Sequence, residues 1–358
     1  MEANNVNQLS SINSTHPNDA LQLEDFWQYR LSIQIHLYYF PFIISVGIPG
    51  NVISFVVLVF SSFRRSTTAR YLAVISILDV IILCTGAVWL INKRMPEEDV
   101  FRPGSCKAFL FVFYFTAHWD VLLLVAVTAE RYIVVVFPLM ADTMVSMKRT
   151  VVIICLAALL SVGLNMHHFF TAYVRVSNTT GLTYCGSSGG ETTKFFKYRI
   201  YPWIDSIIYF VLPFTAIFVL NISMMHITGR ATRRRGHMQN MRSSDVNRKQ
   251  IELTVMLLLV SFFFLLLTGP MGVILIVERI AWIPTSLKEK AVHRLIHSVV
   301  DNMMYTNHAI NFLFYCFSGQ RFRNEVRRLM CSFRKDTVNS ISRSSANSPD
   351  LNTIASTL

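Results

Sequence analysis

The chain has 358 residues, 53% hydrophobic and 15% charged, with a formal net charge of +12 and a mean hydropathy of +0.43. Soluble domains carry nearer ~25% charged residues, so this composition excludes an ordinary soluble protein and points to a polytopic helical membrane protein. The positive charge sits in loops between apolar runs, so topology explains it and no nucleic-acid partner is expected.

Residues 1–30 are polar and hold no apolar signal core, so no cleavable signal is expected there. Residues 1–33 are read as an extracellular tail with a glycosylation sequon at Asn13. Seven apolar runs follow, at 34–61, 69–92, 106–137, 149–173, 200–228, 251–280 and 291–317. Lipid offers the backbone no hydrogen-bond partners, so each run must be a helix. The expected fold is an all-α membrane protein, a seven-transmembrane helix bundle over 34–317. Residues 318–331 read as a short amphipathic helix on the membrane surface. The Ser- and Thr-rich residues 332–358 read as a disordered cytoplasmic tail.

Orientation follows the basic residues. With the N-terminus outside, the inner loops hold Arg64, Arg65, Arg70, Lys148, Arg149 and Arg233 to Arg235. A plasma-membrane protein with a cytoplasmic C-terminus is expected. The sequon at Asn178 and Cys185 then fall outside, whereas Asn221 begins a sequon inside a span and reads as chance. Of six cysteines, Cys106 and Cys185 are the two placed outside, so a disulfide between them is expected. Cys331 is a candidate palmitoyl site or a plain free thiol. No Cys-x-x-Cys motif occurs, and no metal site is expected.

The run from Cys106 to Leu139 carries Asp120 at mid-span and Glu130-Arg131-Tyr132 near its end. An ionisable group inside a span is costly and signals function. Cys106, Glu130-Arg131-Tyr132 and Pro138-Leu139 resemble the third helix of a rhodopsin-like (class A) G protein-coupled receptor. Gly50-Asn51, Leu78-Asp79, Pro213, Pro270 and Asn311-Phe312-Leu313-Phe314-Tyr315 resemble landmarks of the other helices. The last of these, with Leu267-Thr268-Gly269-Pro270, resembles the FMRFamide-receptor-like neuropeptide receptors. Departures are the absent tryptophan two before Pro270, alanine at 157 and 158 in the fourth span, Phe312 for the family's proline, and Asn221 for its tyrosine.

The resemblance implies a receptor, not an enzyme, that binds an extracellular ligand and activates a heterotrimeric G protein. Glu130, Arg131, Tyr132 and Tyr315 would form its switch, and Pro138 and Leu139 its G-protein contact. Arrestin would meet the Ser/Thr-rich tail. The implied ligand pocket includes Trp89, Phe113, Thr116, Ala117, Asp205, Tyr209, Met271, Leu275, Glu278, Asp301 and Tyr305. Phe113 and Tyr305 replace an amine receptor's aspartate and a visual pigment's lysine, which argues against a monoamine or retinal.

Asp205, Glu278 and Asp301 with aromatic walls suit a short amidated neuropeptide bearing arginine. The alternative is that these acids pair with Arg279, Lys288 or Arg294. A lipid or other small molecule is the other ligand class. Asn51, Asp79, Asp120, Asn307 and Asn311 are polar at mid-membrane depth and must face each other. They would hold a sodium ion or share a proton. A channel or transporter would show a filter sequence or internal repeats, and neither is seen.

Overall fold

The computed structural model describes residues 22–94, 103–176, 183–187, 190–236, 245–280, 282, 284–318, 320–329 and 331. The sequons at Asn13 and Asn178 and the tail 332–358 lie outside these residues. So do the side chains of Arg233 to Arg235.

Every apolar run folds as a helix, as backbone chemistry in lipid requires. The helices are α1 (Trp27–Phe60), α2 (Thr67–Arg94), α3 (Pro103–Val136), α4 (Met147–Asn165), α5 (Tyr201–Gly229), α6 (Asp245–Ile280) and α7 (Leu287–Ser318). Six of them, α1 to α6, are long and apolar enough to cross a membrane on length and composition. The seventh is 32 residues long but carries His293, Arg294, His297, Asp301, Asn302, Asn307, His308 and Asn311. Of these, Asn302, Asn307, His308 and Asn311 are buried, so polarity here marks an inward face rather than a loop.

Several boundaries differ from the expected ones: α4 ends at Asn165, short of residue 173, and α6 begins at Asp245, ahead of residue 251. The first helix begins at Trp27, so the tail ends before residue 33. Its outer turns pack along α7: Ser298 Oγ donates to the Ser32 carbonyl at 3.0 Å, and Arg294 lies 5.0 Å above the Tyr29 ring. This contact pays back the cost of extending a helix beyond its apolar run. Ahead of α5, residues Glu191–Phe195 and Phe196–Ile200 are also helical.

A two-stranded antiparallel hairpin, β1 (Ala172–Val176) and β2 (Thr183–Ser187), interrupts the otherwise helical order. Val174 lies opposite Cys185. The expected Cys106–Cys185 disulfide is present, with Cα atoms 5.6 Å apart. It ties β2 to the outer end of α3.

The half of the bundle away from the disulfide holds the main core, with Tyr71, Leu72, Leu78, Leu123, Val127, Ile217, Leu257 and Tyr315 all buried. Large apolar side chains such as Phe60, Leu159, Phe170, Leu212 and Phe262 point outward, where lipid would cover them. Gly86 permits a close approach near the outer cavity. A Cβ there would lie 2.6 Å from Phe40 and 2.7 Å from Tyr305.

Residues 320–329 are helical. They dock on the bundle more firmly than a surface helix need do: Phe322 is buried, 5.6 Å from the Tyr315 ring and 6.2 Å from Phe63. Cys331 beyond them is exposed.

Candidate functional site

Three layers of polar chemistry run through the bundle. At the end of the bundle that carries the disulfide, two adjoining cavities share Phe113, Tyr114, Asp301 and Met304 as a common wall. The larger, about 300 Å³, lies among α1, α2, α3 and α7, with Trp89, Gly86 and Tyr305 in its lining. The other, about 260 Å³, lies among α3, α5, α6 and α7, with Ala117, Asp205, Tyr209, Met271 and Leu275.

Asp205 is held from α3 and α4. Its Oδ1 lies 3.4 Å from His118 Nε2. Nδ1 of His118 is 3.3 Å from the Asn165 amide, which accepts from Tyr201 Oη at 3.0 Å. Such a chain of bonded groups fixes the direction of the carboxylate.

Two expected pocket residues lie elsewhere. Thr116 is buried, donates to the Val112 carbonyl of its own helix at 2.6 Å, and lines neither cavity. Glu278 also lies outside both linings. Its Oε1 faces Nε2 of both His293 and His297. Of the alternative partners Arg279, Lys288 and Arg294, the side chain of Arg279 lies outside the described residues. Arg294 instead stacks on Tyr29.

The second layer is the mid-membrane polar core. Asn51, Asp79, Asp120, Asn307 and Asn311 are all buried. Asn311 Nδ2 donates to Asp79 Oδ2 at 2.8 Å. His308, which sequence reasoning missed, occupies the middle. Its Nδ1 lies 2.7 Å from Asp79 Oδ1 and 3.8 Å from Asp120 Oδ2. Its carbonyl accepts from Asn51 at 2.8 Å.

The signal was available: His308 precedes Asn311 by three residues, which places both on one helix face. The imidazole nitrogen faces one Asp79 oxygen, while the Oδ1 atoms of Asn51, Asp120 and Asn311 are buried with no hydrogen-bond partner among the described residues. His308 also lines the smaller cavity, so ligand space and polar core meet at one ring.

The third layer lies at the opposite end of the bundle. Glu130 and Arg131 lie 3.7 Å apart and both are buried. The Glu130 carboxylate also accepts from Thr67 and Thr68 at the start of α2 and from Thr150 of α4 at 3.4 Å. None of these threonines was named from the sequence. The N-terminus of α2 adds favourable dipole potential for the carboxylate.

Tyr132 packs near Phe137, with ring centroids 6.4 Å apart. Tyr315 is buried beneath Phe322. Arg131 opens onto a cleft of about 950 Å³ bordered by Arg64, Arg65, Arg321 and Arg328. Pro138 begins a short helix, Pro138–Met144, on which Leu139 is 97% exposed.

Trp119 of α3 donates from Nε1 to the Ile154 carbonyl of α4 at 3.2 Å.

Known proteins resemble the chain over most of its length. A probable G-protein coupled receptor of Caenorhabditis elegans is 23% identical over 92% of this chain and 75% of its own. Growth hormone secretagogue receptor type 1 of Rattus norvegicus is 28% identical over 80% of this chain and 78% of its own. C-C chemokine receptor type 1 of Homo sapiens is 25% identical over 81% and 78%. The family described as 7 transmembrane receptor (rhodopsin family) matches residues 50–315. The chain belongs to the rhodopsin family of seven-transmembrane receptors, which signal through G proteins.

Proposed function

We propose that this receptor recognises a short basic peptide, an amidated neuropeptide being the best fit. The carrying observation is that Asp205 and Asp301 both line the smaller cavity, between aromatic side chains of Phe113, Tyr114 and Tyr209. A guanidinium can pair bidentately with a carboxylate and stack on an aromatic face. The names of the relatives, receptors for a growth hormone secretagogue and a C-C chemokine, agree with a peptide more than with a lipid.

The cavity floor includes His308, which offers the route inward. A ligand that shifts this ring perturbs Asp79 and hence the packing of α2 against α7. The bundle then shifts population toward a state in which Arg131 turns to the G protein. The core works through its imidazole and carboxylates. The N-terminus is outside and the C-terminus, with its arrestin-binding serines and threonines, is inside. Glycans at Asn13 and Asn178 and a palmitoyl chain on Cys331 belong to the same topology.

The test is a screen of the expressed receptor against a neuropeptide library, read by nucleotide exchange on a G protein. An active peptide should lose roughly tenfold or more in potency on Asp301→Asn and on Asp205→Asn, the loss of a charge-assisted bond of ~1.5–3 kcal/mol. Unchanged potency on both variants, or activation by a lipid alone, would overturn the reading.

A further inference from the structure

His293 and His297 stand four residues apart on α7, so both rings project from one face of the helix. Opposite them, at the outer end of α6, is Glu278. Its Oε1 lies 2.7 Å from His293 Nε2 and makes a still closer contact with His297 Nε2. The three ligand atoms lie within 4.8 Å of one another, and the two imidazole centroids are 4.6 Å apart.

We propose that Glu278, His293 and His297 form a zinc site that clamps α6 to α7 beside the mouth of the cavity. The donor set of two imidazoles and one carboxylate is one that zinc takes with a fourth position left to water. Tetrahedral zinc with bonds of ~2.0–2.1 Å holds its ligand atoms ~3.4 Å apart. The Glu278–His293 pair, at 2.7 Å, therefore needs to open by about 0.7 Å.

The side chains of Glu278, His293 and His297 are 20%, 29% and 26% exposed. They are open enough for an ion to enter and sheltered enough to hold one. Trp282 packs edge-on against His293 at 5.2 Å, an apolar neighbour that limits ring motion. Zinc takes the Nε2 lone pair of each neutral ring, whose proton then resides on Nδ1. A doubly protonated ring releases one proton to solvent. No group is oxidised or reduced.

The plainer account is a carboxylate accepting two N–H bonds. It explains the contacts in the absence of metal, and the same three atoms become ligands once an ion enters between them and displaces the N–H bonds. His297 lines the smaller cavity together with Asp205 and Asp301. A metal held there would fix the outer ends of two helices next to the bound ligand.

The experiment uses the purified full-length receptor in detergent and zinc as the probe. Zinc is titrated against a chromophoric chelator, and the melting temperature is followed with and without it. One zinc per chain is expected, with a rise in melting temperature. His293→Ala and His297→Ala should each weaken binding by at least about tenfold. His293→Gln and His297→Gln keep a donor for Glu278 and so protect the fold. They should keep the zinc-free melting temperature and lose the zinc-dependent rise. Cobalt(II) should give the intense visible absorption of a four-coordinate site, removed by added zinc. Failure of the unaltered receptor to bind zinc, or unchanged binding by the His293→Gln/His297→Gln double variant, would overturn the proposal.

Discussion

Nδ1 of His308 lies 2.7 Å from Oδ1 of Asp79, on helices brought together from 229 positions apart in sequence. This contact ties α2 to α7 at mid-membrane depth. It also puts one imidazole in both the cavity lining and the polar core.

His308→Ala removes that partner and leaves Asp79 with the Asn311 amide. Leaving a buried hydrogen-bonding group without its partner costs ~1–3 kcal/mol. The melting temperature of the purified receptor should fall by several degrees. Asp79→Asn combined with His308→Ala should cost less than the two single changes added together. Strict additivity would show that the two residues act independently.

Arg131→Ala should abolish agonist-driven nucleotide exchange while leaving ligand binding and surface expression near normal. Glu130 keeps Thr67, Thr68 and Thr150 as partners, so the variant still folds. Exchange at the parental rate would remove Arg131 from the switch.

Leu139 touches little of its own chain, at 97% exposure. Leu139→Asp should therefore leave the melting temperature unchanged. If the side chain is an apolar anchor for the G protein, coupling drops by roughly tenfold or more. Parental coupling with an unchanged melting temperature would refute the anchor role.

The start of α7 is pH-sensitive by construction. Glu289 Oε2 accepts from the backbone N–H groups of Thr285 and Ser286, and Ser286 Oγ accepts from the Glu289 N–H. This is a reciprocal capping box. The backbone donors of Thr285 and Ser286 hold the Glu289 carboxyl below its ordinary value. A lowered folded-state value means stabilisation that is complete above the unfolded carboxylate range and lost as pH falls through the folded one. Hydrogen exchange at Leu287 to Lys290 should quicken as pH drops into that range, after correction for intrinsic rates. Glu289→Ala should show the faster exchange at every pH.

How far the sequence reaches can be judged residue by residue. Lipid forbids an unpaired backbone, so the apolar runs dictated helices without any knowledge of their neighbours. Basic loops and the exterior placement of Cys106 and Cys185 led to their disulfide, and adjacency alone paired Glu130 with Arg131. Each of these is a local or compositional fact.

Partners across the bundle were not local. Which side of α7 faces α2, and at what height, decides that His308 meets Asp79. The same packing gives Glu278 two histidines, lays Arg294 over Tyr29, and gives Glu130 its threonines. It also turns Thr116 back onto its own helix. A one-dimensional pattern sets the face on which a side chain stands. Only the rotation and depth of packed helices set what that face meets, because those depend on all the interhelical contacts at once.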